Sequence, residues 1–120
     1  MALVLVADDE FAVAELLQAM IEDEGHQVST ARHGQAALAS MRSRRPDLVF
    51  TDTQMPGMGG PALVRAMDAD PELSRLRVVA MSAMPEEAVG REYSRYTVFL
   101  RKPFRVTEVT ELLSRLLPPG

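Results

Sequence analysis

The 120-residue sequence has no cysteine, which excludes disulfides, thiolate metal sites and cysteine nucleophiles while leaving the compartment open. No run approaches the ~20 consecutive apolar residues that a membrane-spanning helix requires. The apolar opening Ala2–Ala7 has no basic leader and runs straight into Asp8-Asp9-Glu10, so it does not read as a secretion signal, and a cytoplasmic location is expected. The 13 basic residues are scattered rather than clustered and face 17 acidic ones, for a net charge of −4. That leaves no electrostatic footprint for nucleic acid or an anionic bilayer. No HExxH pairing points to zinc.

At 47% hydrophobic and 25% charged, the composition is that of an ordinary globular domain, and residues 1–120 amount to one. Five short runs rich in Val, Leu and Phe read as strands: Leu3–Ala7, Gln27–Ala31, Leu48–Thr51, Arg77–Met81 and Thr97–Leu100. The segments between them have helical spacing, and this alternation predicts an α/β fold with a parallel sheet covered on both faces. The first helix is expected over about Glu10–Glu24, with Val13, Leu16, Leu17, Met20 and Ile21 on one stripe and Gly25 as a stop. The second runs from about Gly34 to Ser43 and is ended by Pro46. The third starts at Gly60 and Pro61, before a turn over Ala69–Ser74. The fourth starts near Pro85 and has only about eight residues before Tyr93, which makes it short or irregular. The last, near Arg105–Leu117, puts Val106, Val109, Leu112, Leu113, Leu116 and Leu117 on one stripe before Pro118-Pro119-Gly120.

Ligands of an open parallel sheet bind beyond the carboxyl ends of its strands. The first, third, fourth and fifth runs end there in Asp8-Asp9, Asp52, Ser82-Ala83 and Lys102-Pro103. Three carboxylates at one rim repel one another unless a cation sits among them, and Mg²⁺ suits a site with few carboxylates and a phosphate. Lys102 is the only lysine among the 13 basic residues, and a compact point charge there can reach an anion in a way a planar guanidinium does not match.

The pieces that carry a family resemblance are Asp8-Asp9-Glu10, Thr51-Asp52-Thr53-Gln54-Met55-Pro56-Gly57-Met58-Gly59-Gly60, Ser82-Ala83 and Lys102-Pro103-Phe104, in order at strand ends over essentially the whole chain. Together they resemble the response-regulator receiver domains of two-component signalling. The resemblance implies a flavodoxin-like doubly wound sheet of five parallel strands in the order 2-1-3-4-5, with about five helices. It implies that Asp52 accepts a phosphoryl group from a phosphohistidine on a sensor histidine kinase or a histidine phosphotransfer protein. By the same carry-over Asp9 and Asp52 ligate Mg²⁺, Asp8 acts directly or through a metal-bound water, and Gln54 offers its backbone carbonyl. Ser82 and Lys102 contact phosphoryl oxygens, and Lys102–Pro103 is a cis bond. Ser82 moves inward and Phe99 fills the vacated space, a switch that lacks the hydroxyl contacts a Tyr would make there. Gln54 and Met84 flank the site and tune hydrolysis.

The chain is thus expected to be a signalling switch, with self-catalysed phosphotransfer and slow autodephosphorylation but no other enzymatic activity. Its implied partners are the upstream kinase or phosphotransfer protein and a downstream protein target or output domain, with no direct nucleic acid and no membrane.

Plainer readings exist for each piece. Asp8 and Asp9 suit a helix cap, and Asp52 and Ser82 suit turns. They fail jointly, because independent turn residues have no reason to bring three acids, a hydroxyl and the only Lys to one rim. His26 and His33 read as exposed loop residues, Met20, Met41, Met67, Met81 and Met84 mostly as core, and Arg42, Arg44 and Arg45 as a solvated helix end. An aspartate-nucleophile phosphatase of the haloacid dehalogenase type wants an acid where Gln54 stands. A flavodoxin-like cofactor site wants a glycine-rich loop where Asp8-Asp9 stand.

The spacing from Ser82 to Lys102, 20 positions, is a little shorter than usual for the family, and Tyr93-Ser94-Arg95 replaces a small Gly-Ala pair. The missing length falls in the fourth helix, which motivates a second reading as a phosphorylation-independent docking domain. Gly59, where the family often has Asp, is expected to loosen its loop.

Overall fold

In the computed structural model, which describes residues 1–118, one sheet is built from β1 (Leu3–Ala7), β2 (Gln27–Ala31), β3 (Leu48–Asp52), β4 (Arg77–Ser82) and β5 (Val98–Arg101). All neighbours pair in parallel, in the order β2-β1-β3-β4-β5. The helices between them are α1 (Phe11–Asp23), α2 (Gly34–Ser43), α3 (Gly60–Asp68), α4 (Glu86–Val89) and α5 (Val106–Leu116), with a 3-10 turn over Gly90–Glu92 after α4.

Strand side chains alternate between faces, and here both faces are apolar. Val4, Val6, Leu48, Phe50, Val79 and Met81 meet Leu17 and Ile21 of α1 and Leu112 and Leu113 of α5. Leu5, Ala7, Val49, Val78 and Ala80 point the other way, onto Ala37 and Met41 of α2 and Leu63, Val64 and Met67 of α3. A strand buried on both faces reads as a continuous apolar run, which is why β1 and β3 stood out in the sequence. β2, at the sheet's edge, buries only Ala31.

Several expected boundaries and faces shift. β3 and β4 each run one residue further, because Asp52 pairs with Met81 and Ser82 with Arg101. β5 lies one residue later at both ends, Val98–Arg101; before it, Thr97 donates its N–H to Val78 O (2.8 Å) and its Oγ1 accepts Val78 N–H (3.1 Å). Leu16 and Val106 are exposed, not part of the buried stripes. Leu16 lies about 100° around the helix from the sheet-facing Leu17. The histidines are half-buried acceptors instead of exposed loop residues: His26 Nδ1 takes Ala2 N–H at 3.1 Å, and His33 Nδ1 caps α2 from Ala36 N–H at 3.2 Å. Met84 is exposed, outside the core. The chain ending named with α5 extends past Pro118 to Pro119 and Gly120, outside the described residues.

The fourth helix is a single turn plus the 3-10 turn. The end of that turn and the stretch that follows are fastened to α3 and its exit. Arg65 Nη1 donates to Glu92 O (3.0 Å), Ser94 and Arg95 both donate to Asp68, and Arg95 Nη1 donates to Leu76 O (2.7 Å).

Candidate functional site

Parallel strands all deliver their carboxyl ends to one rim, and four of the loops leaving that rim carry polar side chains into one pocket. Asp8 follows β1 and is fully buried; its N–H is held by Ala31 O (3.0 Å), and its Oδ1 accepts Glu10 N–H (2.9 Å). Asp52 closes β3, also buried, with Oδ1 accepting Thr53 N–H at 3.0 Å. Lys102 arrives from the end of β5, its N–H on Ser82 O (2.8 Å) and the Lys102–Pro103 bond cis.

The Lys102 ammonium sits among three acids, 2.7 Å from Asp8 Oδ2, 3.0 Å from Glu10 Oε1 and 3.3 Å from Asp52 Oδ1. Those carboxylates each bring an oxygen to within 4.8 Å of the others. Burial, followed by the charge of Asp8, pushes the Asp52 carboxyl up to about 6 against the opposing pull of Lys102. Burial works to lower the Lys102 ammonium's pKa, but its contacts with Asp8 and Glu10 and the charge of Asp52 outweigh that, and the net direction is upward. It stays cationic at any working pH.

One ammonium against three carboxylates leaves negative charge in excess. Asp8 Oδ2 is buried, and among the described residues the Lys102 ammonium at 2.7 Å is its one partner. An all-oxygen donor set with negative charge in excess fits a hard dication. Asp9, Glu10, Asp52, Gln54, Ser82, Met84 and Lys102 line an adjoining cavity of ≈ 360 Å³. Ser82 is buried, with Oγ accepting Met84 N–H at 3.0 Å. Its own proton therefore remains available.

The structure thus brings Asp8, Asp9, Asp52, Gln54, Ser82, Met84 and Lys102 to one place. Phe99 stands apart from the cavity, in β5 opposite Ala80, with its ring centroid 6.3 Å from that of Tyr96. Glu10, to which the sequence reading gave no role, completes the carboxylate trio; its place directly after Asp8-Asp9 was the available signal. At Gly59 the structure shows a steric role. A Cβ there would lie 2.6 Å from Thr53 O, so glycine permits a close approach, fixed by Gly60 N–H on that same carbonyl at 3.0 Å.

Comparison with known proteins agrees with this geometry. A family model described as the response regulator receiver domain matches residues 4–114. Sporulation initiation phosphotransferase F of Bacillus subtilis (strain 168) is 32% identical over 118 residues, spanning 96% of this chain and 93% of that protein. DNA-binding response regulator MtrA of Mycobacterium tuberculosis (strain ATCC 25618 / H37Rv) is 32% identical over 106 residues, spanning 88% of this chain but only 46% of that protein. The chain therefore covers most of one relative and about half the length of the other. The structure of chemotaxis response regulator CheY4 of Vibrio cholerae superposes with a TM-score of 0.90 at 28% identity, over 98% of this chain and 99% of that one.

Proposed function

The chain belongs to the response regulator receiver domain family, and from that premise we propose that it is a Mg²⁺-dependent phosphoacceptor in which Asp52 carries the phosphoryl group. The observation that supports this best is the meeting of Asp8, Glu10 and Asp52 around the single lysine, beside an open polar cavity.

Asp52 Oδ1 is engaged by Thr53 N–H and faces Lys102, which leaves Oδ2 as the attacking oxygen. A new bond forms from Oδ2 to phosphorus as the phosphorus–nitrogen bond of a phosphohistidine breaks. The imidazole leaves with that electron pair and takes up a proton. With an ionisation near 6, Asp52 is mostly carboxylate at neutral pH, as a nucleophile must be. Lys102 can exchange its carboxylate partners for a phosphoryl oxygen without changing protonation, and Ser82 has a proton to donate to another. Asp8, Asp9, Asp52 and the Gln54 carbonyl would hold Mg²⁺, which when bound supplies neutralisation of the charge on the phosphoryl oxygens. Gln54 and Met84, both exposed at the cavity, govern access of hydrolytic water.

The donor is a sensor histidine kinase or a histidine phosphotransfer protein. The receiver of the signal is a downstream protein or an output domain, and the only turnover is that of the chain's own phosphoryl group, in the cytoplasm. Among the described residues no helix is long and apolar enough to cross a membrane.

Incubation with acetyl phosphate and Mg²⁺ should add one phosphoryl mass to the wild type and none to Asp52→Asn, and phosphotransfer from candidate kinases should follow the same pattern. An unchanged mass on wild-type protein would favour the phosphorylation-independent docking reading, which the one-turn α4 motivates.

A further inference from the structure

Tyr93, 7% exposed, lies on the α3 side of the sheet with its hydroxyl 2.9 Å from Thr53 Oγ1. Thr53 Oγ1 lies in turn 2.8 Å from Met81 O. A carbonyl only accepts, so the Thr53 hydroxyl donates to Met81 O and the Tyr93 hydroxyl donates to Thr53. Burial, the leading cause, pushes the Tyr93 hydroxyl up to about 12, so that proton is permanent.

Thr53 is also the residue that holds Asp52. Its backbone N–H is shared between Asp52 Oδ1 at 3.0 Å and Met81 O at 2.9 Å. One residue thus touches the reacting carboxylate with its backbone and Tyr93 with its side chain. The opening of α3 makes room for this arrangement: a Cβ on Gly60 would run into the Tyr93 hydroxyl and into Asp52 O.

From Tyr93 an aromatic ladder continues outward. Its ring meets Tyr96 edge-on at 5.7 Å, and Tyr96 meets Phe99 of β5 at 6.3 Å. The Tyr96 hydroxyl donates to Glu86 at the start of α4. Phe99 itself has no hydroxyl with which to register a change at the pocket.

We propose that Tyr93 is a positioning residue whose hydroxyl, through Thr53, couples the state of Asp52 to Tyr96 and α4, a route that does not depend on residue 99. Loading Asp52 changes how strongly its Oδ1 holds Thr53 N–H. That N–H then shifts its balance toward Met81 O, and the Thr53 hydroxyl, its bond to Tyr93 and the ring contact with Tyr96 move together. The coupling rests on Asp52 being the phosphoacceptor.

The chain has two tyrosines and no tryptophan, so its intrinsic fluorescence comes from Tyr93 and Tyr96 alone. Beryllofluoride with Mg²⁺ is the probe, and fluorine NMR of the bound species counts occupancy independently. Wild-type emission should change along the same titration curve as occupancy. Tyr93→Phe should still bind beryllofluoride while the Tyr96 response is lost, and Thr53→Val, which keeps both tyrosines, should lose it too. Thr53→Ser, which retains the hydroxyl, and Phe99→Leu should both keep it. Constant wild-type emission at full occupancy, an undiminished response in Tyr93→Phe, or loss of the response in Phe99→Leu would overturn the coupling while leaving phosphoacceptance intact. Absence of any bound fluorine resonance in the wild type would instead overturn the phosphoacceptor reading, and this route with it.

Discussion

Asp52 is held in the fold as an acid that is easier to protonate than usual, because burial and Asp8 together outweigh Lys102. A carboxyl raised in the folded state favours folding when protonated. That contribution is complete below its unfolded value near 3.8 and is lost as pH rises through about 6. In chelator-treated protein, Asp52→Asn should therefore be more stable than wild type at neutral pH by about 1–2 kcal/mol, after allowing for the partial exposure of the carboxylate. The gain should shrink toward about pH 4, where wild-type Asp52 is itself neutral. Urea titrations at the two pH values check both the sign and the window. Lys102→Ala removes the only cation among the three acids, so Asp52 should titrate above about 6 in the metal-free variant, followed by carboxyl carbon NMR. The same variant should bind Mg²⁺ yet fail to couple phosphorylation to a change of shape. Asp8, Asp52 and Lys102 were legible because each ends a readable apolar run. Glu10 was not, since its role depends on which way its side chain turns at the start of α1, and only the position of Lys102 decides that.

At the scale of elements, the unusual feature is the replacement of a full fourth helix by one turn and a segment tied down by polar contacts. Asp68 at the end of α3 takes hydrogen bonds from Ser94 and Arg95, and these outweigh its slight burial to hold its carboxyl below the ordinary range. Its contribution is present above the unfolded value and lost as pH falls through the folded one. Asp68→Asn should cost about 0.5 kcal/mol at neutral pH, because the pair is partly solvent-screened, and that cost should disappear in acid. Differential hydrogen exchange should place the loosened amides in residues 92–97. The count from Ser82 to Lys102 announced a short fourth helix. Nothing in it announced that Ser94 and Arg95 would fold back onto α3, which is a contact between residues about 26 positions apart.

For the whole molecule, both faces of the sheet must be dry for the rim to be held still. Phe50 of β3 lies fully buried where α1 and α5 close over the sheet, two residues before Asp52. Phe50→Ala should destabilise the chain by about 3–5 kcal/mol. Chemical denaturation checks the size of the loss, and weaker beryllofluoride binding in the remaining folded protein would show the rim loosening with it.

The strand and helix pattern, the α/β class and four of the loops that build the pocket follow from local sequence, because apolar periodicity and turn chemistry act over a few residues. The exposure of Leu16 and Val106, the structural work of His26 and the path from Thr53 through Tyr93 to Tyr96 were decided only by tertiary structure. Each depends on what a distant segment places opposite the residue. A single chain read in order carries the residue's chemistry but not the identity of its neighbour across the fold.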